Sequence, residues 1–358
     1  MRYIISFLFV VFFATHIFSQ QSLPKHRQGA FSTSGNCAFC HTTDFGANTL
    51  KGKDVSQVTL WRSTMMANAS KDPFWRAKVD AELSTVKNKD VKKVAADLCL
   101  KCHAPMGFTQ AVLDGKGSEY TIDKINTDLL ALDGVSCTLC HQIQPDNFGK
   151  PGSYTGNYII GKERLIFGPY KDVFTGPMSN HEDFIPQYGV HITKSELCAT
   201  CHTVITPHLT QEDDVKGVFY EQTPYLEWKN SLYPETDIQC QSCHMPATEE
   251  PIDIASRPPW DTTKRSPFFF HQFVGGNTAL QKIFSKNVNT LNLSSSGVFF
   301  EEKLKETETN LTDNSLSLSA TANMVGSELE VKVKIENQTG HKLPTGIPFR
   351  RMWVHLTV

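Results

Sequence analysis

The sequence has no excess of positive charge. Lys and Arg total 35 against 37 Asp and Glu, a formal charge of −2. A nucleic-acid-binding chain normally carries a basic surplus, so that class is excluded. Beyond the first twenty residues no apolar run approaches the ~18 residues that mark a spanning helix, and the mature chain is expected to be soluble. Collagen-like and disordered classes are excluded too, because 40% of residues are hydrophobic and 20% charged, a globular balance. No cysteine lies near residue 20, which argues against a lipid-anchored N-terminus. The last absence carries the most information: none of the ten cysteines stands outside a motif.

The N-terminus reads as an export signal. Arg2 supplies a positive start, residues 4–13 are apolar, and residues 14–19 become smaller and more polar, with a cut near Ser19 and Gln20. The alternative is an uncleaved anchor, but the apolar stretch is shorter than the ~20 residues that cross a bilayer.

The cysteines fall as Cys37-Ala-Phe-Cys40-His41, Cys99-Leu-Lys-Cys102-His103, Cys137-Thr-Leu-Cys140-His141, Cys198-Ala-Thr-Cys201-His202 and Cys240-Gln-Ser-Cys243-His244. Five C-x-x-C-H motifs use every cysteine. Two intervening residues let a short turn bring both sulfurs to one porphyrin edge for thioether attachment, and the next His supplies the proximal nitrogen to iron. A disulfide framework does not require a His after each second Cys. Zinc sites pair two such half-sites, and five would leave one orphaned. A redox C-x-x-C leaves the trailing His unexplained. The expected cofactors are five covalently attached haem c groups, which agrees with export because this attachment takes place outside the cytoplasm.

Successive motifs start at 37, 99, 137, 198 and 240, so spacing alternates long and short. Asp97-Leu98-Cys99 and Glu196-Leu197-Cys198 share a context, suggesting a two-haem unit of about one hundred residues used twice. Without the signal and the tail after 275, about fifty residues remain per haem, so porphyrins must form much of the apolar core. Helices are expected over residues 58–68, from Pro73 through Val86, and over 278–284, with 145–189 mainly loop. After about residue 312, strands with period-two alternation are expected at 315–320, 329–335 and 352–358. The predicted fold is mainly α with extensive loops packed around five haems, plus a small C-terminal β-sandwich-like domain. Three strands do not close a sandwich, so that domain reads as incomplete; the alternative is that the strands pack on the haem domain. The divisions are 1–19 signal, 20–275 pentahaem domain, 276–312 helical linker and 313–358 β-domain.

The sixth iron ligand decides function, because an iron with two strong protein ligands has no room for substrate. His191 lies seven residues before Cys198. His271 sits in an aromatic run, residues 268–273, suited to a porphyrin face, although an aromatic core with a hydrogen-bonded His explains it too. His341 lies in the stiff loop 339–346. His181 and His208 are further candidates. Met65, Met66 and Met178 compete, with helix-face packing the plainer explanation for the first two.

Gly134-Val135-Ser136-Cys137 leading to His141 resembles an element of exported multihaem cytochromes related to the cytochrome c-554 and hydroxylamine oxidoreductase-like group. Phe167-Gly168-Pro169, residues 191–202, Cys243-His244-Met245-Pro246, residues 271–277, the loop 340–346 and Arg350-Arg351-x-Trp353 fit the same group. The resemblance spans roughly residues 31 to 358. It implies close-packed haems, mostly with two axial His, in respiratory electron transfer. The haem count departs from the four and eight of that group's named members. No Lys replaces a proximal His, so the C-x-x-C-K site of pentahaem nitrite reductase is absent.

Three functions follow as expectations. The first is a periplasmic or exported electron carrier whose partners are redox proteins, including a membrane quinol oxidoreductase, with peripheral membrane association and no nucleic acid. The second is an oxidoreductase with one open haem acting on a small nitrogen or sulfur compound, for which Arg164, Tyr170, Arg350 and Arg351 are available cations and proton donors. The third is a surface sensor or scaffold using the β-domain. The motif count makes the first prediction. The intact mass of the exported protein should exceed its polypeptide by five haems and lack residues 1–19; four or fewer haems overturns the attachment reading for at least one motif.

Overall fold

A computed structural model describes residues 22–357, so the export-signal expectation lies outside the described residues. The chain is mainly helix and loop. Its longer helices are Pro73–Thr85, Lys89–His103, Pro105–Leu113, Thr278–Lys286 and Gly297–Thr309. Among the described residues no helix is long and apolar enough to cross a membrane.

Local chemistry explains the helix limits. The Asp72 carboxylate accepts from the amides of Phe74 and Trp75, and Pro73 takes the first helical position, where its missing N–H costs nothing. The Asn88 side chain caps the next helix in the same way, through Asp90 and Val91. That helix runs directly into the second motif. In a helical turn, positions i, i+3 and i+4 share one face, so Cys99, Cys102 and His103 point the same way. Helical turns also carry the other motifs, at Ser34–Cys37, Cys137–Cys140, Ser195–His202 and Cys240–His244.

Two helix expectations shift. The helix expected over 58–68 stops at Arg62, as Gln57–Arg62. The Asn68 amide donates to the carbonyls of Arg62 and Thr64 at 3.1 and 2.9 Å, taking carbonyls that a longer helix would use. The helix expected over 278–284 continues to Lys286.

Sheet is limited to eight two-stranded pairs among the described residues. Within 145–189 these are minor, apart from a parallel pair, Leu165–Gly168 with Ile185–Tyr188. The hairpin Val204–Leu209 with Val215–Gln222 was not anticipated. At the C-terminal end, Leu316–Val325 and Glu328–Asn337 form a ten-residue antiparallel ribbon in the expected alternation. Leu318 faces Ile335 and Met324 faces Leu329 on one face, while Ser319 faces Lys334 and Asn323 faces Glu330 on the other. The third expected strand is corrected: residues 351–357 have no strand structure. Loop 339–350 is engaged elsewhere, with the Lys342 amide and Thr345 donating to Glu227 and Phe349 against Phe74, and an unpaired segment has no ladder to join.

The apolar residues make five small clusters instead of one core. One gathers Trp75, Val79, Leu100 and Phe108 behind the second motif. Another stacks Phe284, Leu293 and Phe300 between the last two helices.

Gly134, three residues before Cys137, has φ +67 and lies against the carbonyl oxygens of Met66 and Ala67. A β-carbon there would come within 2.6 Å of both. Left-handed backbone alone costs a residue with a side chain about 1–2 kcal/mol, and the clash adds to it. Gly134→Ala should therefore lower unfolding free energy by at least about 2 kcal/mol in denaturant titration. An unchanged midpoint would show that this turn relaxes freely.

Candidate functional site

All fifteen cysteines and histidines of the five motifs line one mostly apolar cavity of about 1850 Å³. An ordinary small-molecule site holds about 300–1,000 Å³, so this space suits several large groups side by side. The ten thiols are free. Among the described residues no three His, Cys, Asp or Glu side chains are grouped so that they could hold a metal ion. Burial pushes the thiols of Cys99 and Cys140 up to about 12, whereas the neighbouring Cys198 holds Cys240 down at about 7.

Cysteines of different motifs meet. The thiols of Cys37 and Cys137, of Cys102 and Cys201, and of Cys198 and Cys240 lie close enough to perturb one another's proton affinity. Cys140 lies within electrostatic reach of Cys201. The first attachment site therefore adjoins the third, and the fourth adjoins the second, third and fifth. Contacts between the helical turns repeat the first-to-third and fourth-to-fifth neighbours. Tyr158 is buried where Cys102, Cys140 and Cys201 approach one another, and its hydroxyl donates to the Lys101 carbonyl at 3.0 Å.

The proximal imidazoles share a device. Nδ1–H donates to a main-chain carbonyl in His41 (Ile254, 2.9 Å), His103 (Ala69, 3.4 Å), His141 (Phe167, 2.6 Å) and His244 (Val274, 2.5 Å). Since a carbonyl only accepts, each bond fixes the tautomer and leaves the Nε2 lone pair for a metal. Burial pushes His103 and His202 down to about 4, keeping both neutral, the form that ligates. His202 has no such carbonyl bond among the described residues. The Arg350 guanidinium lies within electrostatic reach of His202.

The five candidate distal histidines divide. His271 faces His141 with ring centres 6.3 Å apart and planes 16° apart. His341 faces His244 at 6.3 Å and 18°. A metal–imidazole bond of about 2.0–2.1 Å, with the nitrogen about 1.1 Å from its ring centre, puts two rings that share a metal about 6.3 Å apart. Rings in direct contact are nearer, as in Trp75 on His103 at 4.4 Å. The Nδ1–H of His271 donates to Phe269 at 3.0 Å and that of His341 to Lys342 at 2.9 Å, again leaving Nε2. The residues therefore fit a haem iron between each pair.

His181 lines the cavity, stacks on Phe39 of the first motif at 4.6 Å and holds Glu182 through Nδ1 at 3.1 Å. His208 lines it from the hairpin Val204–Leu209. Met65, Met66 and Met178 line it too. His191 does not. It is buried between Phe148 and Phe167, its Nε2–H donates to Ile143 at 3.1 Å, and Nδ1 packs under Gly189.

Of the cations and proton donors considered for an open haem, Arg164 is spent on the carbonyls of Gly29, Glu182 and Asp183. Tyr170 lines the cavity but donates to Pro267 at 2.9 Å. Arg350 lines the cavity, whereas Arg351 is exposed outside it. The carbonyls that orient the imidazoles were invisible to motif analysis, because a main-chain oxygen carries no residue signature.

Residues 36–142 match the family described as cytochrome c554 and c-prime. The crystal structure of a penta-heme cytochrome c552 from Thermochromatium tepidum superposes with a TM-score of 0.52 at 18% identity, over 88% of this chain and 68% of that one. No curated protein sequence matches the chain. The chain thus has a c554/c552-like multihaem c-type cytochrome fold.

The geometry of His191 makes the next prediction. His191→Phe should leave the number of low-spin haems unchanged while lowering thermal stability, because the lost bond leaves the Ile143 carbonyl buried without a donor. A new high-spin signal would show that His191 ligates iron.

Proposed function

We propose that the protein is an exported pentahaem c-type cytochrome that carries electrons in a respiratory chain. Its partners in this reading are redox proteins, a membrane quinol oxidoreductase among them, met by peripheral association with the membrane. The observation that carries the reading is the cavity onto which all five motifs open, with neighbouring motifs close enough for their thiols to perturb one another. Bound haem c supplies a one-electron couple at iron.

The chain's part is to hold and orient. Ten cysteines anchor the groups, and His41, His103, His141, His202 and His244 provide the first axial nitrogen of each. His271 provides the second at the third motif and His341 at the fifth, on the strength of their spacing and free Nε2 atoms. Two imidazoles per iron exclude a substrate there and keep the iron low-spin. His181 and His208, on the cavity wall, are the candidates for the remaining positions.

A second reading has one specific observation in its favour. His202 lacks both a carbonyl partner and a facing imidazole among the described residues, and Arg350 stands nearby. An open position beside a guanidinium suits a small oxyanion of nitrogen or sulfur.

Low-temperature EPR of the oxidised holoprotein separates the two. His271→Ala and His341→Ala should each convert one haem of five from low-spin to high-spin. No spectral change in either variant would overturn the axial assignment. A high-spin signal in the unaltered protein that shifts on adding nitrite, and fails to shift in Arg350→Gln, would replace the carrier reading with the second one.

A further inference from the structure

The helix Gly297–Thr309 buries Phe300, Lys303 and Thr307 along one face. Phe300 packs into the apolar cluster with Phe284, so a cation one turn later on that face is anomalous. The Lys303 side chain is only 4% exposed. Burying an ammonium is expensive unless it is paired and hydrogen-bonded. Its ammonium donates to the Gln272 carbonyl at 3.0 Å and to Glu306 Oε2 at 2.5 Å. The Gln272 amide donates to the other Glu306 oxygen at 3.3 Å, closing a ring of three side chains and one main-chain carbonyl.

The target of this ring is informative. Gln272 follows His271, which faces His141. Two residues on, the Val274 carbonyl accepts from Nδ1 of His244. Before His271, the Phe270 amide donates to the Pro246 carbonyl at 2.9 Å, two residues past His244. Segment 270–274 therefore serves two motifs at once: it presents an imidazole opposite that of the third and orients that of the fifth. Phe273 within it has φ +46, a conformation that a residue with a side chain adopts only under constraint.

We propose that Lys303 is a positioning residue which, through Gln272 and Glu306, holds segment 270–274 so that His271 and the Val274 carbonyl engage the third and fifth motifs together. This rests on the axial role assigned to His271. Lys303 also borders the motif cavity, and in this proposal its effect on the irons runs through that segment.

The test uses the mature holoprotein. Lys303→Met keeps the stem and removes the charge. It is expected to carry five haems, to turn the third-motif haem partly high-spin, as His271→Ala does fully, and to shift the low-spin EPR g-values of one further haem. Glu306→Gln keeps shape and hydrogen-bonding capacity with less charge; it should give the same changes in weaker form, and it decides the matter if Lys303→Met does not mature. Lys303→Arg, which retains the donors, should restore most of the low-spin signal. Unchanged spin state and g-values in Lys303→Met, or in Glu306→Gln where Lys303→Met does not mature, overturn the proposal when His271→Ala does produce high-spin iron. A midpoint-potential shift with no change in spin state or g-values also overturns it, since that marks Lys303 as a charge partner only. If His271→Ala itself leaves every haem low-spin, the axial assignment is what has failed.

Discussion

One hydrogen bond organises the centre of this molecule: an imidazole Nδ1–H given to a main-chain carbonyl. It recurs in four of the five motif histidines and in both facing histidines. A free imidazole rotates and exchanges tautomers. A ring tied at Nδ1 does neither, and presents its Nε2 lone pair in a fixed direction. The carbonyls used by the motif histidines lie at Ala69, Phe167, Ile254 and Val274, from 26 to 213 residues away in sequence. Orienting these rings therefore needs the whole fold, which explains how a chain so poor in sheet and in continuous core still has a defined architecture.

The same bond separates histidines that look equivalent in sequence. His191 and His271 are both candidate ligands, and in the fold both pack beside aromatic rings, His191 against Phe148 and Phe167 and His271 against Phe273. His271 spends Nδ1 and leaves Nε2, whereas His191 spends Nε2 on Ile143 and buries Nδ1 under Gly189. Composition and spacing carry no information about which nitrogen a carbonyl takes.

Much was legible nonetheless. The motifs pointed to a multihaem c-type fold, because covalent attachment demands two sulfurs and a nitrogen at fixed spacing, and the chain has that fold. The helix at Pro73 was legible because Asp72 and Pro73 are local signals, and so was the strand alternation after residue 315. What escaped depends on how side chains and loops fold in space. The helix after Gln57 stops early because Asn68 folds back on it, and segment 352–357 stays out of a sheet because the loop before it is engaged elsewhere. The Lys303 ring was hidden for the same reason: a lysine on a charged helix reads as solvated until Gln272 is seen beside it.

The meeting of cysteines has a consequence for how such a chain is made. In the folded arrangement Cys37 lies near Cys137, Cys102 near Cys201 and Cys198 near Cys240. A chain that closed with these thiols still free, in an oxidising compartment, would place three pairs of sulfurs where oxidation joins them wrongly. Each such bridge would link two motifs and spoil both. If the motifs carry haem as proposed, the thiols would have to be kept reduced and capped while the chain is open, before it collapses.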